Sequence, residues 1–195
     1  MQPAPLLNFI VRRIAVQDFI LIFLANAACI FVLIAAHEAG HFLAGWAGGI
    51  PVCEMRIRLL TFPQHVALRD GEEWVTPFDL ARYVAIMQRH LGYGARLFLY
   101  TAGGMIVGTA FTVAATALAK ETGFSGVATM FAAQSLVMGL IYIFVMDLPM
   151  ALRRGYPWGD VSGMWFIAKI PTVVFVFGML AVDGLLLWYA ASIRV

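Results

Sequence analysis

The chain has 195 residues, of which 62% are hydrophobic and 12% charged. Soluble domains carry about 25% charged residues, so an ordinary soluble globule is excluded. A net charge of +2 without a basic stripe excludes nucleic acid as an expected partner.

Four apolar segments, about 18–47, 97–119, 127–148 and 172–191, have the length a helix needs to cross the hydrocarbon core. Arg12 and Arg13 ahead of Phe19, with Ala25-Asn26-Ala27 further on, have the outline of a signal peptide and its cleavage site. The apolar run continues through Ala36, however, and an uncleaved first membrane helix is expected. At 1.5 Å per residue it reaches roughly 45 Å, enough to cross and leave a turn or two at the interface. Cys29 falls inside it as a small packing residue, and neither it nor Cys53 has a CxxC or zinc-knuckle spacing.

Between the first two segments lies 49–96. Val52 to Leu59 alternate in polarity, which predicts a strand. A second strand is expected over 64–69, followed by the turn dipeptide Asp70-Gly71, and a third over 72–76. An interfacial helix is expected over 78–89. The fold class read from these patterns is an all-α integral membrane protein of one domain, 1–195. It has about four transmembrane helices and a short β-hairpin-like segment between the first two.

Lys and Arg placement sets the expected sidedness. The two connections on one side hold Arg56, Arg58, Arg69, Arg82, Arg89, Arg96, Arg153, Arg154 and Lys169; the other side holds Arg12, Arg13, Lys120 and Arg194. The first set is expected to face the cytoplasm, with both termini outside.

His37-Glu38-Ala39-Gly40-His41 is an H-E-x-x-H run on a predicted helix. Histidines four residues apart stand one turn above the other, so both imidazoles can reach one zinc ion. Glu38, beside the first, can act as general base on a zinc-activated water, whose pKa falls to about 7 in favourable sites. A charged group at the centre of a membrane helix costs about 2.5–3.5 kcal/mol on insertion scales. Clustering of such groups at ligand spacing therefore points to a metal site rather than to chance. Gly40, Gly45, Gly48 and Gly49 leave room for another backbone to approach.

The run from His37 to Ala44, followed by Gly49-Ile50-Pro51-Val52, resembles the first core helix of the site-2 protease family of intramembrane zinc metalloproteases. Tyr100-Thr101-Ala102-Gly103-Gly104 resembles that family's glycine-rich middle helix, with Met105 where the family usually has proline. Asp147-Leu148-Pro149 resembles its Asn-Leu-(Leu)-Pro element, with Asp in place of Asn. Tyr156-Pro157-Trp158-Gly159-Asp160 follows at a stretched spacing, with Val161 and Ser162 before Gly163. The resemblance covers roughly 16–168 and is to a minimal core, without a PDZ or nucleotide-sensing domain. It implies one Zn2+ per chain and cleavage of transmembrane or membrane-anchored protein substrates in the bilayer. With the charge bias, it implies a multi-pass protein of a prokaryotic inner membrane whose site lies toward the cytoplasm. It also implies that the strand after Pro51 helps to hold substrate, which nominates Val52, Glu54 and Arg56.

A catalytic zinc site takes three protein ligands. His37 and His41 are two; Asp160, Asp183 and Asp147 are the candidates for the third. The loop-to-helix entry after Pro157 matches the family pattern and favours Asp160, which is equally suited to cap a helix starting at Val161. Asp183 lies inside the fourth apolar run, and it and Asp147 are alternative ligands or partners that orient one. His65 and His90 lack a ligand partner at fixed spacing and are expected to be solvated or interfacial. The resulting expectation is a zinc-dependent metalloendopeptidase. A membrane metalloprotease class with a glutamate third ligand, and a zinc-binding membrane protein without proteolytic activity, remain as alternatives. After Glu73 the only glutamate is Glu121, which disfavours the former.

Overall fold

The structure is a computed structural model that describes the backbone of residues 5–192 and the side chains of 16–192. The side chains of Arg12 and Arg13, and Arg194, which entered the charge count, lie outside the described residues.

Helix α1 runs Pro5–Gly48, and a single 3-10 turn, Val52–Glu54, leads into strand β1, Met55–Arg58. Strands β2, His65–Asp70, and β3, Glu73–Val75, follow, and helix α2 is Leu80–Leu91. Helices α3, Ala95–Glu121, and α4, Ser125–Ile141, come next. A π-helical turn, Tyr142–Asp147, then joins α4 to α5, Leu148–Arg154. Helix α6 is Asp160–Ile167 and α7 is Lys169–Ala191.

Among the described residues, four spans are long and apolar enough to cross a membrane: Val16–Gly48, Ala95–Glu121, Ser125–Arg154 and Lys169–Ala191. Their outer faces are apolar: Phe19, Leu21, Ile22 and Phe23 on α1, and Leu185 and Trp188 on α7, are all more than half exposed. A soluble protein does not expose apolar surface so continuously. Inside the bundle some polar groups pair across helices. Ser135 on α4 donates to Asp183 on α7 at 3.3 Å, and Gln134 donates to Asn26 on α1.

The third span runs past its expected end at residue 148 and through Pro149 to Arg154. Proline interrupts an α-helix because it has no N–H. Here it stands in the first turn of α5, just after the π-turn has shifted the hydrogen bonds so that Leu148 N–H reaches the carbonyl of Ile143. The rod therefore continues, and Gly155 ends it in the left-handed conformation at φ 75°.

The segment between the first two spans forms a three-stranded antiparallel sheet in the order β1-β2-β3, with Met55 opposite Leu68 and Leu68 opposite Val75. Two of its three strands and α2 sit close to their expected places. The first differs: after Pro51 the backbone coils, with Glu54 N–H on the Pro51 carbonyl at 2.9 Å, and pairing starts only at Met55. Sheet and α2 share a core of Met55, Val66, Leu68, Tyr83 and Ile86, closed against Leu97 and Tyr100 of α3. Lys120, at the far end of α3, is buried and donates to the Tyr189 carbonyl and, at 3.0 Å, to that of Ser192. It thereby occupies carbonyls that the end of α7 leaves open.

Candidate metal centre

His37, Glu38 and His41 lie in the last third of α1, where α3 crosses it. Glycines set the separation. A Cβ on Gly40 would run into the carbonyl of Gly103, and one on Gly103 would come within 2.6 Å of the Ala44 Cβ. A Cβ on Gly104 would stand 2.5 Å from His41 Nε2 and 2.6 Å from His37 Nε2. The glycine pair on α3 therefore lets backbone close over the imidazoles where any side chain would occupy their space.

His41 Nδ1 lies 2.9 Å from the carbonyl oxygen of Tyr100. A carbonyl only accepts, so Nδ1 carries the hydrogen and Nε2 keeps its lone pair. The hydroxyl of Tyr100 donates to that of Tyr83 at 2.6 Å, which in turn donates to the Val66 carbonyl at 2.8 Å. One chain of hydrogen bonds thus ties the ligand helix to α3, α2 and β2. Burial, and then the neighbouring Tyr100, push the Tyr83 phenol well above its ordinary pKa, so it stays a neutral donor.

Asp160 comes from a different part of the chain. It is the first residue of α6, after the cap position Gly159. Glycine has no side chain to cap a helix, and Asp147 of the π-turn supplies the missing carboxylate. Its Oδ1 accepts from Gly159 N–H at 3.1 Å and its Oδ2 from Ser162 N–H at 3.0 Å. Ser162 Oγ accepts from the Gly159 and Trp158 N–H groups, so the reciprocal half of a capping box is in place. Tyr142 OH accepts from Asp160 N–H at 2.9 Å. A Cβ on Gly159 would collide with Tyr142 OH and with the Asp147 carboxyl carbon. Capping is thus done by Asp147, not by Asp160 as the sequence also allowed, and the Asp160 side chain is free to turn toward α1.

There Asp160 Oδ2 is 3.0 Å from His37 Nε2 and 3.4 Å from His41 Nε2, and the two nitrogens are 3.1 Å apart. Donors about 2.0–2.1 Å from a tetrahedral zinc stand about 3.3 Å from one another. Two imidazoles and a carboxylate are also a donor set that zinc ions accept. His37, His41 and Asp160 together could hold a metal ion. Burial opposes the charge on Asp160, but His41 and His37 beside it hold its carboxyl well below the usual range.

Glu38 is buried next to His37 on α1. The structure brings neither of the other acids into the metal group. Asp147 is fully buried beneath α6, and Asp183 is buried against Ser135. Glu121 ends α3 beside the Tyr189 hydroxyl, 3.3 Å away. Val52 and Glu54 fall in the 3-10 turn rather than on a strand, and Glu54 pairs with His90 at 3.1 Å. Arg56 is on β1, its guanidinium 5.8 Å from the centre of the Trp74 ring.

Of the two remaining histidines, one is buried against expectation. His90 is mostly covered by its pairing with Glu54. His65 is only 9% exposed, because β2 lies between α1 and α2 and its first four residues are all buried. The sequence signal that could have found it is the run His65-Val66-Ala67-Leu68, apolar on both faces apart from the imidazole.

No family model, curated protein or solved structure matches this chain.

Proposed function

We propose that this chain is a zinc-dependent intramembrane protease of the site-2 protease kind, hydrolysing peptide bonds in or near transmembrane segments of membrane-protein substrates. The observation that carries the proposal is the meeting of His37 Nε2, His41 Nε2 and Asp160 Oδ2 within 3.4 Å of one another, next to buried Glu38, among helices long enough to cross a membrane.

His37, His41 and Asp160 would hold the zinc. When bound, it supplies a Lewis acid for the scissile carbonyl and a water activated for attack. Glu38, adjoining His37, takes the proton that the attacking water loses and gives it to the leaving nitrogen. Gly104 and Gly103 close one side of the site with backbone, and the Asp147–Ser162 cap keeps the Asp160 carboxylate turned inward. The long 49–96 connection, with its arginines, would face the cytoplasm.

The test is Glu38→Gln in purified, zinc-loaded protein. The variant should keep one zinc per chain and lose cleavage of a membrane-helix substrate. Wild-type cleavage by Glu38→Gln, or protein that binds no zinc, would overturn the proposal.

A further inference from the structure

The α1–α3 crossing leaves a cavity of about 490 Å³ that no member of the metal group lines. Gly40 and Gly103, whose backbones are in contact, lie at its back. Leu43, Leu99 and Ile106 also line it and are 46%, 53% and 42% exposed, so it opens to the outside of the bundle. On α3 the lining extends from Arg96 to Val107, about 16 Å at 1.5 Å per residue. That is close to half of a hydrocarbon core about 30 Å thick, the depth of one leaflet. Among the described residues that line the groove, Arg96 alone is charged, and it marks one end. Its guanidinium is exposed and has neither an ion pair nor a hydrogen bond among the described residues. At that same end α3 begins after Gly94 without a side-chain cap, so its first N–H groups add partial positive charge.

The groove is thus apolar along its length and positive at one end. A helix about 10 Å across would fill roughly 1,200 Å³ over such a length, more than twice what the cavity holds. A single hydrocarbon chain is the narrower occupant. We infer that the groove binds one anionic phospholipid, with an acyl chain laid between α1 and α3 and the phosphate on Arg96. The inference needs only that the four spans cross a bilayer, and it stands whether or not the chain is a protease. The guanidinium fork suits a phosphate, to which it can give two parallel hydrogen bonds. The recess lets the chain touch both helices at once, and each added close contact contributes dispersion that a flat helix face does not offer. Lipid seated there packs behind Gly40 and Gly103, the contact that sets how near α3 comes to the histidines.

The experiment places the full chain in phosphatidylcholine vesicles that contain a minor share of a photoreactive lipid. One probe is phosphatidylglycerol with a diazirine midway along an acyl chain; the other is the matching phosphatidylcholine. After illumination, labelled peptides are mapped by mass spectrometry. Label should concentrate on 40–48 and 96–107, with the phosphatidylglycerol probe ahead of the phosphatidylcholine one. Arg96→Gln should reduce that preference about fivefold, the share of one basic residue near a charged membrane surface, and Arg96→Lys should keep most of it. Arg153→Gln, which removes an exposed arginine outside the groove, should leave it unchanged. Ala47→Phe fills the groove from an exposed position and should lower labelling there by both probes, with helix content unchanged. Equal labelling by the two probes in the parent, undiminished preference in Arg96→Gln, or the same loss in Arg153→Gln overturns the inference. Labelling that rises as the protein is diluted in lipid shows a second copy in the groove and overturns it as well. The readout uses neither zinc nor turnover, so its failure leaves the protease reading where it stood.

Discussion

His41 donates from Nδ1 to the carbonyl of Tyr100 at 2.9 Å, and four residues further along α3 Gly104 lies over His41 Nε2. The first contact fixes which nitrogen has a lone pair, and the second leaves the space in front of it clear. Both come from one turn of α3.

Gly104→Ala tests that space. Alanine favours a helix over glycine by about 1 kcal/mol, so α3 itself is not weakened. The added Cβ would stand 2.5–2.6 Å from both ligand nitrogens. The expected outcome is unchanged helix content by circular dichroism with zinc affinity reduced about 100-fold or more, beyond the usual effect of altering a ligand's support. Metal analysis after dialysis against a graded chelator checks it.

Asp147→Asn tests the cap supplied from the π-turn. One amide oxygen replaces two carboxylate oxygens, and the amide NH2 then faces a backbone N–H of Gly159 or Ser162. The start of α6 shifts, and with it Asp160. Zinc affinity should fall about 10–100-fold, the range for residues that orient a ligand. Titration with a competing zinc indicator measures it, with Asp183→Asn as the comparison that should leave zinc affinity alone.

Tyr83→Phe cuts the hydrogen-bond chain between α3 and the sheet. It removes the donor to Val66 and leaves the Tyr100 hydroxyl facing a ring edge. A lost buried hydrogen bond is worth about 1 kcal/mol, with more where a partner stays unsatisfied. Unfolding in detergent should show a loss of about 1–2 kcal/mol, with zinc content retained because the His41–Tyr100 contact uses backbone.

The seam between the sheet and α2 should respond to acid. Asp70 accepts hydrogen bonds from Arg82 at 3.1 Å and Arg89 at 3.3 Å. The Arg82 hydrogen bond, with a smaller share from Arg89, holds its carboxyl below the ordinary value in the face of some desolvation. A carboxyl lowered on folding stabilises fully above its unfolded value, about 3.9, and this contribution disappears as pH falls through the folded value. Amide protection in α2, corrected for the intrinsic pH dependence of exchange, should therefore fall on acidification below about pH 4, less steeply in Asp70→Asn and in high salt.

Much of this could be read from residue order alone, because single-residue patterns carried it. Four runs of apolar side chains marked the spans, and two histidines one helical turn apart marked two members of the group that could hold a metal ion. The alternation around Ile57 and the Asp70-Gly71 turn marked the sheet. What escaped depends on contacts between distant segments. The cap of α6 joins residues 147 and 162, and sequence spacing could not say that Asp147 would serve Gly159 while Asp160 turned away. Burial of His65 depends on α1 and α2 closing over β2. The third span was expected to end at residue 148, and its continuation through Pro149 depends on the π-turn, which residue order does not reveal.

The π-turn of Tyr142–Asp147 has a consequence for phase. At about 100° per residue, positions five apart on an α-helix come round some 140° away from one another. Tyr142 and Asp147 would then look in widely different directions, and only one could meet α6. Closing the backbone on i→i+5 instead brings residue i+5 round toward the side of residue i, and both side chains grip the same helix start, one at Asp160 N–H and the other at Gly159 and Ser162. That single widened turn is a unit of length. Deleting one residue from it would restore regular winding and rotate one of the two grips away from the start of α6, so this stretch tolerates exchange of its outward side chains far better than a change in their number.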